Sequence, residues 1–167
     1  RVHRRRRRVH PGADVVTGVP FRPGNAVGIV APWFVAVIES ERGERLGNAL
    51  IELSRLPAGG VDELGDVLAQ MSLRDLPDFA MGVVELHVVR VLVRGAMAAA
   101  VERNSEVEVL RGDGYRTWRE VSVERPAEVR IGVTDALSEP AFYWTTGGVA
   151  PVSSILVASA VTGADLR

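Results

Sequence analysis

Alternating valines constrain this chain more than any other feature. Val89, Val91 and Val93 in VVRVLVRG, Val107 and Val109 in EVEVLR, Val121 and Val123 in REVSVE, and Val129, Ile131 and Val133 in EVRIGV all recur at a spacing of two. That period puts one set of side chains on a single face of a strand and the intervening residues on the other, the pattern of an antiparallel sheet with one dry side. Arg90 and Arg94 then fall on the wet face of their strand, opposite the valines.

Other segments fill in the order of elements. AVGIVAPWFVAVIE, from Ala26, reads as two short strands around Ala31-Pro32. In the second, Trp33, Val35 and Val37 oppose Phe34, Ala36 and Ile38, so both faces are apolar, as in a sheet interior. From Leu46 the period lengthens. Leu46, Leu50 and Leu53 make one helical stripe that Pro57-Ala58-Gly59-Gly60 ends, and Val61, Leu64, Leu68 and Met71 make a second, with Asp62 and Glu63 in its first turn where the helix dipole favours anions. FAMGVVEL and VVRVLVRG return to strands, followed by AMAAAVE and EVEVLR. Gly112-Asp113-Gly114 has the residue types of a tight hairpin turn, which predicts that Val107 and Val109 pair with Val121 and Val123. A looser segment with Phe142, Tyr143 and Trp144 precedes a last strand at Val152 to Val157.

The expected fold class is α+β: a mostly antiparallel sheet of about six to eight strands, with two short helices inserted after the first strand pair. Residues 1–24 read as a flexible Arg-rich arm, because Pro11, Gly12, Gly18, Pro20, Pro23 and Gly24 interrupt any regular element. Residues 25–160 form the single domain and 161–167 a tail. The 167-residue length is enough to bury a core without staples.

Charge and composition narrow the chemistry. The chain contains neither cysteine nor lysine, which excludes disulfide frameworks, thiolate metal sites and thiol nucleophiles, and fits a reducing, cytoplasmic setting. Residues 11–167 carry fourteen arginines against twenty-one carboxylates, a net charge of −7, and an acidic body repels phosphate backbones. Nucleic acid, or another acidic partner, is therefore expected to be held through Arg4, Arg5, Arg6, Arg7 and Arg8 of the arm or not at all. The plainer reading of that run is a solvated tail. No apolar stretch is long enough to span a bilayer, VAPVSSILVASA included, and no apolar segment follows the arginines as a secretory signal requires.

Catalysis finds little support. His3 and His10 lie in the arm, and His87 sits at a predicted turn, where an exposed polar residue is ordinary. Glu106, Glu108, Glu120, Glu124 and Glu128 alternate with apolar residues, as the wet face of a sheet should, rather than forming an acid–base pair. No nucleophile elbow, phosphate loop, dinucleotide fingerprint or zinc-protease motif occurs, and neither a metal nor a cofactor is implied. Arg111-Gly112-Asp113 spells an adhesion tripeptide, but the predicted turn needs those residue types anyway. If Trp118 shares its strand face with Glu120, Ser122 and Glu124 it lies on the wet side, where an aromatic side chain is a frequent anchor of interfaces; the alternative is that a helix or the segment 142–144 covers it.

Leu76-Pro77-Asp78-Phe79-Ala80, Arg90-Val91-Leu92-Val93-Arg94-Gly95 and Thr117-Trp118, within a stretch from Phe21 to Leu156, resemble the amino-terminal region of actinobacterial proteins that carry a forkhead-associated (FHA) domain. The resemblance implies a non-enzymatic accessory or adaptor module. It does not extend to phosphopeptide reading, because the Gly-Arg, Ser-His and Asn-Gly positions of an FHA core are missing. The expectation is a protein-binding module using sheet faces or edges around Arg90, Arg94 and Trp118. Its alternatives are the arginine arm acting on acidic partners and a small-ligand or enzymatic pocket between helices and sheet. Self-association is expected, if anywhere, at the strand Val152 to Val157, which carries few edge charges.

Overall fold

In a computed structural model the described residues are 19–139, 143–145 and 147–159. They form nine strands and two helices: β1 Val19–Val30, β2 Phe34–Ile38, α1 Glu44–Ser54, α2 Val61–Ala69, β3 Phe79–Glu85, β4 Val88–Arg103, β5 Glu106–Gly112, β6 Arg119–Glu124, β7 Glu128–Val133, β8 Tyr143–Thr145 and β9 Gly148–Ser159. Two helices follow the first strand pair and every pairing is antiparallel, as the sequence periods require. The sheet, however, does not stay open. β2 pairs β3, β3 pairs β4, β4 pairs β7, β7 pairs β9 and β9 pairs β1, while β1 also pairs β2. Six strands thus close into a barrel.

One residue makes the closure possible. VVRVLVRG and AMAAAVE, which read as separate segments, are one sixteen-residue strand, β4. β6 ends with Glu124 opposite Val88, and β7 begins with Glu128 opposite Glu102. The backbone N–H of Arg125 donates to the carbonyl of His87 and that of Ala127 to the carbonyl of Glu102, each at 2.8 Å. A straight strand would hold those two carbonyls about 50 Å apart, whereas Arg125 and Ala127 are separated by at most about 7 Å. β4 must therefore double back, and it does so at Gly95, whose φ of 65° lies in the left-handed region.

The fold-back is held by side chains from other elements. A Cβ at position 95 would lie 2.0 Å from the Asp78 carboxylate, so glycine is required for space as well as for conformation. Asp78 accepts the Ala96 N–H at 3.1 Å, and the Thr134 hydroxyl donates to the Ala96 carbonyl at 2.8 Å. The backbone N–H and C=O of Ala96 are thereby both satisfied.

Doubling β4 turns its two halves into facing walls. Val89, Val91 and Val93 of the first half meet Met97, Ala99 and Val101 of the second in one buried cluster with Val35, Val37, Ala80, Val129, Ile131, Val152 and Ile155. This is the barrel interior. It is filled so closely that a Cβ at Gly28 would stand 2.7 Å from Val152 and one at Gly82 2.7 Å from Val157. The other face of β2 and β3 carries Phe34, Ala36, Ile38, Phe79, Met81 and Val83, against which Leu46 and Leu50 of α1 and Leu64 and Leu68 of α2 pack. β2 is buried on both sides, as its sequence predicts.

Three expectations need correction. β5 and β6 do not pair with each other: Val107 and Val109 lie opposite Glu102 and Ala100 of β4, whereas Val121 and Val123 lie opposite Val91 and Val89. The connection 113–118 crosses β4 at its corner, where Gly112 packs so close that a Cβ would meet the Arg94 backbone at 2.5 Å. Next, β9 is paired on both sides, by β7 and β1, so Val152 to Val157 offers no free edge for self-association. Finally, β1 begins at Val19, inside the segment expected as arm, and runs through Pro23 and Gly24 on a register shift between Arg22 and Ala26. Residues 1–18, Phe142 and the tail from 160 lie outside the described residues.

Gly95→Ala combines a left-handed alanine, costing roughly 1–2 kcal/mol, with displacement of the Asp78 carboxylate, so urea titration should show a loss beyond 2 kcal/mol. Asp78→Ala, which frees one exposed N–H, should cost about 0.5–1.5 kcal/mol. Equal, small losses from both would separate the corner from barrel closure.

Candidate functional site

Residues expected to contact a partner sit on the outward face of the first half of β4. The inward valines alternate there with Arg90, Leu92 and Arg94, and the register sets Arg90 opposite Ser122 and Leu92 opposite Glu120 of β6. The face is not uniformly wet. Leu92 is buried in the helix-side cluster, and Trp118 packs against it as a half-buried side chain, its ring 6.5 Å from that of Phe79.

Arg94 has a structural task. Its Nη1 donates to the carbonyls of Arg116 and Thr117, the latter at 2.5 Å, and its Nη2 reaches the Leu73 carbonyl at 3.4 Å. One guanidinium thus fastens the 113–118 crossing to the loop before β3, and so positions Trp118. Arg90 lies between two carboxylates, 3.2 Å from Glu85 and 3.9 Å from Glu120. Glu85 also accepts the Val61 N–H at 3.3 Å, which ties the start of α2 to the β3–β4 hairpin. The structure puts Arg90 and Arg94 on the face of β4 that also carries Leu92, with Trp118 in the cluster that holds Leu92, and both guanidinium groups have partners within the chain.

His87 is exposed in the β3–β4 turn, beside Leu86, which is 96% exposed with a φ of 52°. Glu106, Glu108, Glu120 and Glu124 are exposed, and Glu128 pairs with Arg130 at 2.9 Å. Among the described residues, no group of three or more His, Asp and Glu side chains is placed to hold a metal, and no helix is long and apolar enough to cross a membrane. Arg4 to Arg8 lie outside the described residues. The space between helices and sheet is occupied by Ile29, Trp33, Phe34, Phe79 and the leucines of both helices. A groove beside α1, lined by Arg42, Arg45, Arg74 and Asp75 among others, lies at the surface and mixes both signs of charge.

The feature that sequence reasoning missed is β5. Its residues Glu106, Val107, Glu108 and Val109 are all exposed, Val107 to 65% and Val109 to 42%, and among the described residues β4 is its only partner. The Gly112-Asp113-Gly114 turn signal hid this, because it implied that β6 covers that edge. The six-residue connection 113–118, too long for a two-residue hairpin turn, was the contrary sign. Comparison with protein-family models, with curated proteins and with solved structures finds no match to this chain.

Arg94→Ala should release the crossing loop: hydrogen exchange at 113–118 quickens and acrylamide quenching of Trp118 rises, with roughly 0.5–1.5 kcal/mol lost with the hydrogen bonds to these exposed carbonyls. Unchanged exchange in that loop would show that the guanidinium does not hold it.

Proposed function

We propose that this domain is a non-catalytic protein-interaction module, an accessory or adaptor unit of the kind that stands beside an FHA domain. The observation that carries the reading is the contrast between a sealed inside and an unfinished outside. The barrel interior has no room for a methyl group at Gly28 or Gly82, and the helix–sheet layer is packed with large apolar side chains. β5, by contrast, presents two valines to solvent on a strand whose second edge is unpaired among the described residues. Exposed valines on an open edge are an aggregation hazard that natural sheets cover, shorten or charge, and their presence beside charges fits a surface held for a partner.

The Arg90, Glu120 and Trp118 face, adjoining β6, supplies a second area of contact in this reading. Aromatic and arginine side chains are common anchors of protein interfaces. A role of this kind places the domain among intracellular adaptors and assigns it no substrate.

The test is capture with site mapping. Because the chain has no lysine, carboxylate-directed cross-linking reports contacts through its twenty-one Asp and Glu residues. The expected result is a saturable protein partner cross-linked to the folded surface, and competed by an excess of untagged domain. Turnover of a small-molecule substrate by purified protein, or capture that never saturates, would exclude an adaptor role.

A further inference from the structure

We propose that the occupant of the β5 edge is an extended peptide strand in which basic residues alternate with apolar ones, added antiparallel to β5 by main-chain hydrogen bonding. This assignment rests on the protein-interaction reading and specifies its partner. Three observations lead to it: the pairing state of β5, the distribution of its side chains, and the registers open to a second copy of the chain.

β5 pairs with the second half of β4 from Gly95 to Arg103 and, among the described residues, with nothing else. Its free edge carries a row of N–H and C=O groups able to continue the sheet by one strand. Side chains on the two faces differ in kind. Val107 and Val109 lie on the face of Ala100 and Glu102, while Glu106 and Glu108 lie on the face of Val101 and Arg103. All four are exposed, so a strand laid against this edge meets apolar surface at one residue and a carboxylate at the next. The complementary peptide alternates Val-like and Arg- or Lys-like residues over about five positions, roughly 17 Å.

A second copy of the chain fits less well. Two-fold antiparallel pairing of β5 with itself keeps like faces together, so only a few registers are open. Centring on Glu108 sets that carboxylate against its own copy, and centring on Val107 sets Glu106 against Glu108 twice; like charges directly opposite are destabilising. Centring on Val109 avoids the repulsion but sets Glu108 against Leu110, and no charge meets its opposite. The alternating glutamates therefore act against self-pairing while favouring a basic strand.

The experiment is fluorescence anisotropy with a labelled, capped peptide that alternates arginine and valine, against the intact 167-residue chain. The expected results are saturable binding, at least tenfold weaker binding of the peptide with glutamate in place of arginine, and inversion of that preference in the Glu106→Lys/Glu108→Lys variant. Strand addition is separated from simple charge attraction by N-methylation. Methylating the amides on one edge of the peptide should abolish binding, and methylating the alternate set should leave it within about threefold, since only one edge of a strand faces β5. Equal tolerance of both methylated forms, or indifference to the double charge inversion, would overturn the assignment. So would a reversible dimer in sedimentation that the double variant disperses or tightens, because the occupant would then be a second copy. A cross-linked partner that maps away from β5 sinks this proposal and leaves the adaptor reading standing.

Discussion

The reversal of β4 at Gly95 is the constraint on which the rest depends. A strand of sixteen residues cannot line a small barrel unless it bends, and here the bend is sharp enough for its two halves to face one another across the interior. Asp78 serves the corner twice, filling the space where a Cβ would lie and accepting the Ala96 N–H. Arg94, the residue before the glycine, binds the loop that crosses outside. Each neighbouring element is therefore located relative to one residue: β3 through Asp78, β7 through Thr134 and the approach to β6 through Arg116 and Thr117.

Close packing follows from that geometry. Two halves of one strand facing each other leave a narrow interior, filled mainly by valine and alanine with Met97, Leu110, Ile131 and Ile155 among them. The large side chains are displaced to the other layer, where Phe34, Phe79 and Met81 meet the helices. This division explains why both faces of β2 and β3 are apolar.

Much of this was legible in the sequence, and the failures are instructive. The valine period located β4, β6 and β7 and sorted their faces, and the leucine stripes located both helices, because these signals depend on local geometry alone. The apolar faces of β2 were equally plain. Closure was not legible: Phe21 pairs with Ile155, and nothing local to either residue announces the other. Gly95 passed as the end of a strand because glycine marks turns far more often than corners within a strand. That error propagated. With β4 cut in two, the Gly112-Asp113-Gly114 turn had to join β5 to β6, and the exposed valines of β5 were assigned a partner they do not have. Leu76–Ala80 and Arg90–Gly95, the most specific pieces of the resemblance, turn out to meet at the corner, as Asp78 against Gly95. They are informative about folding rather than about a partner.

The seam between β1 and β9 has a consequence for biosynthesis. The first strand of the barrel finds its neighbour only in the last, so on the ribosome β1 waits with one side unpaired until residues 148–155 have emerged. Helices α1 and α2 and the β3–β4 hairpin, built from nearby residues, can form while the chain is still growing. The barrel itself is completed only once β9 has been made, as expected for a topology dominated by distant pairings.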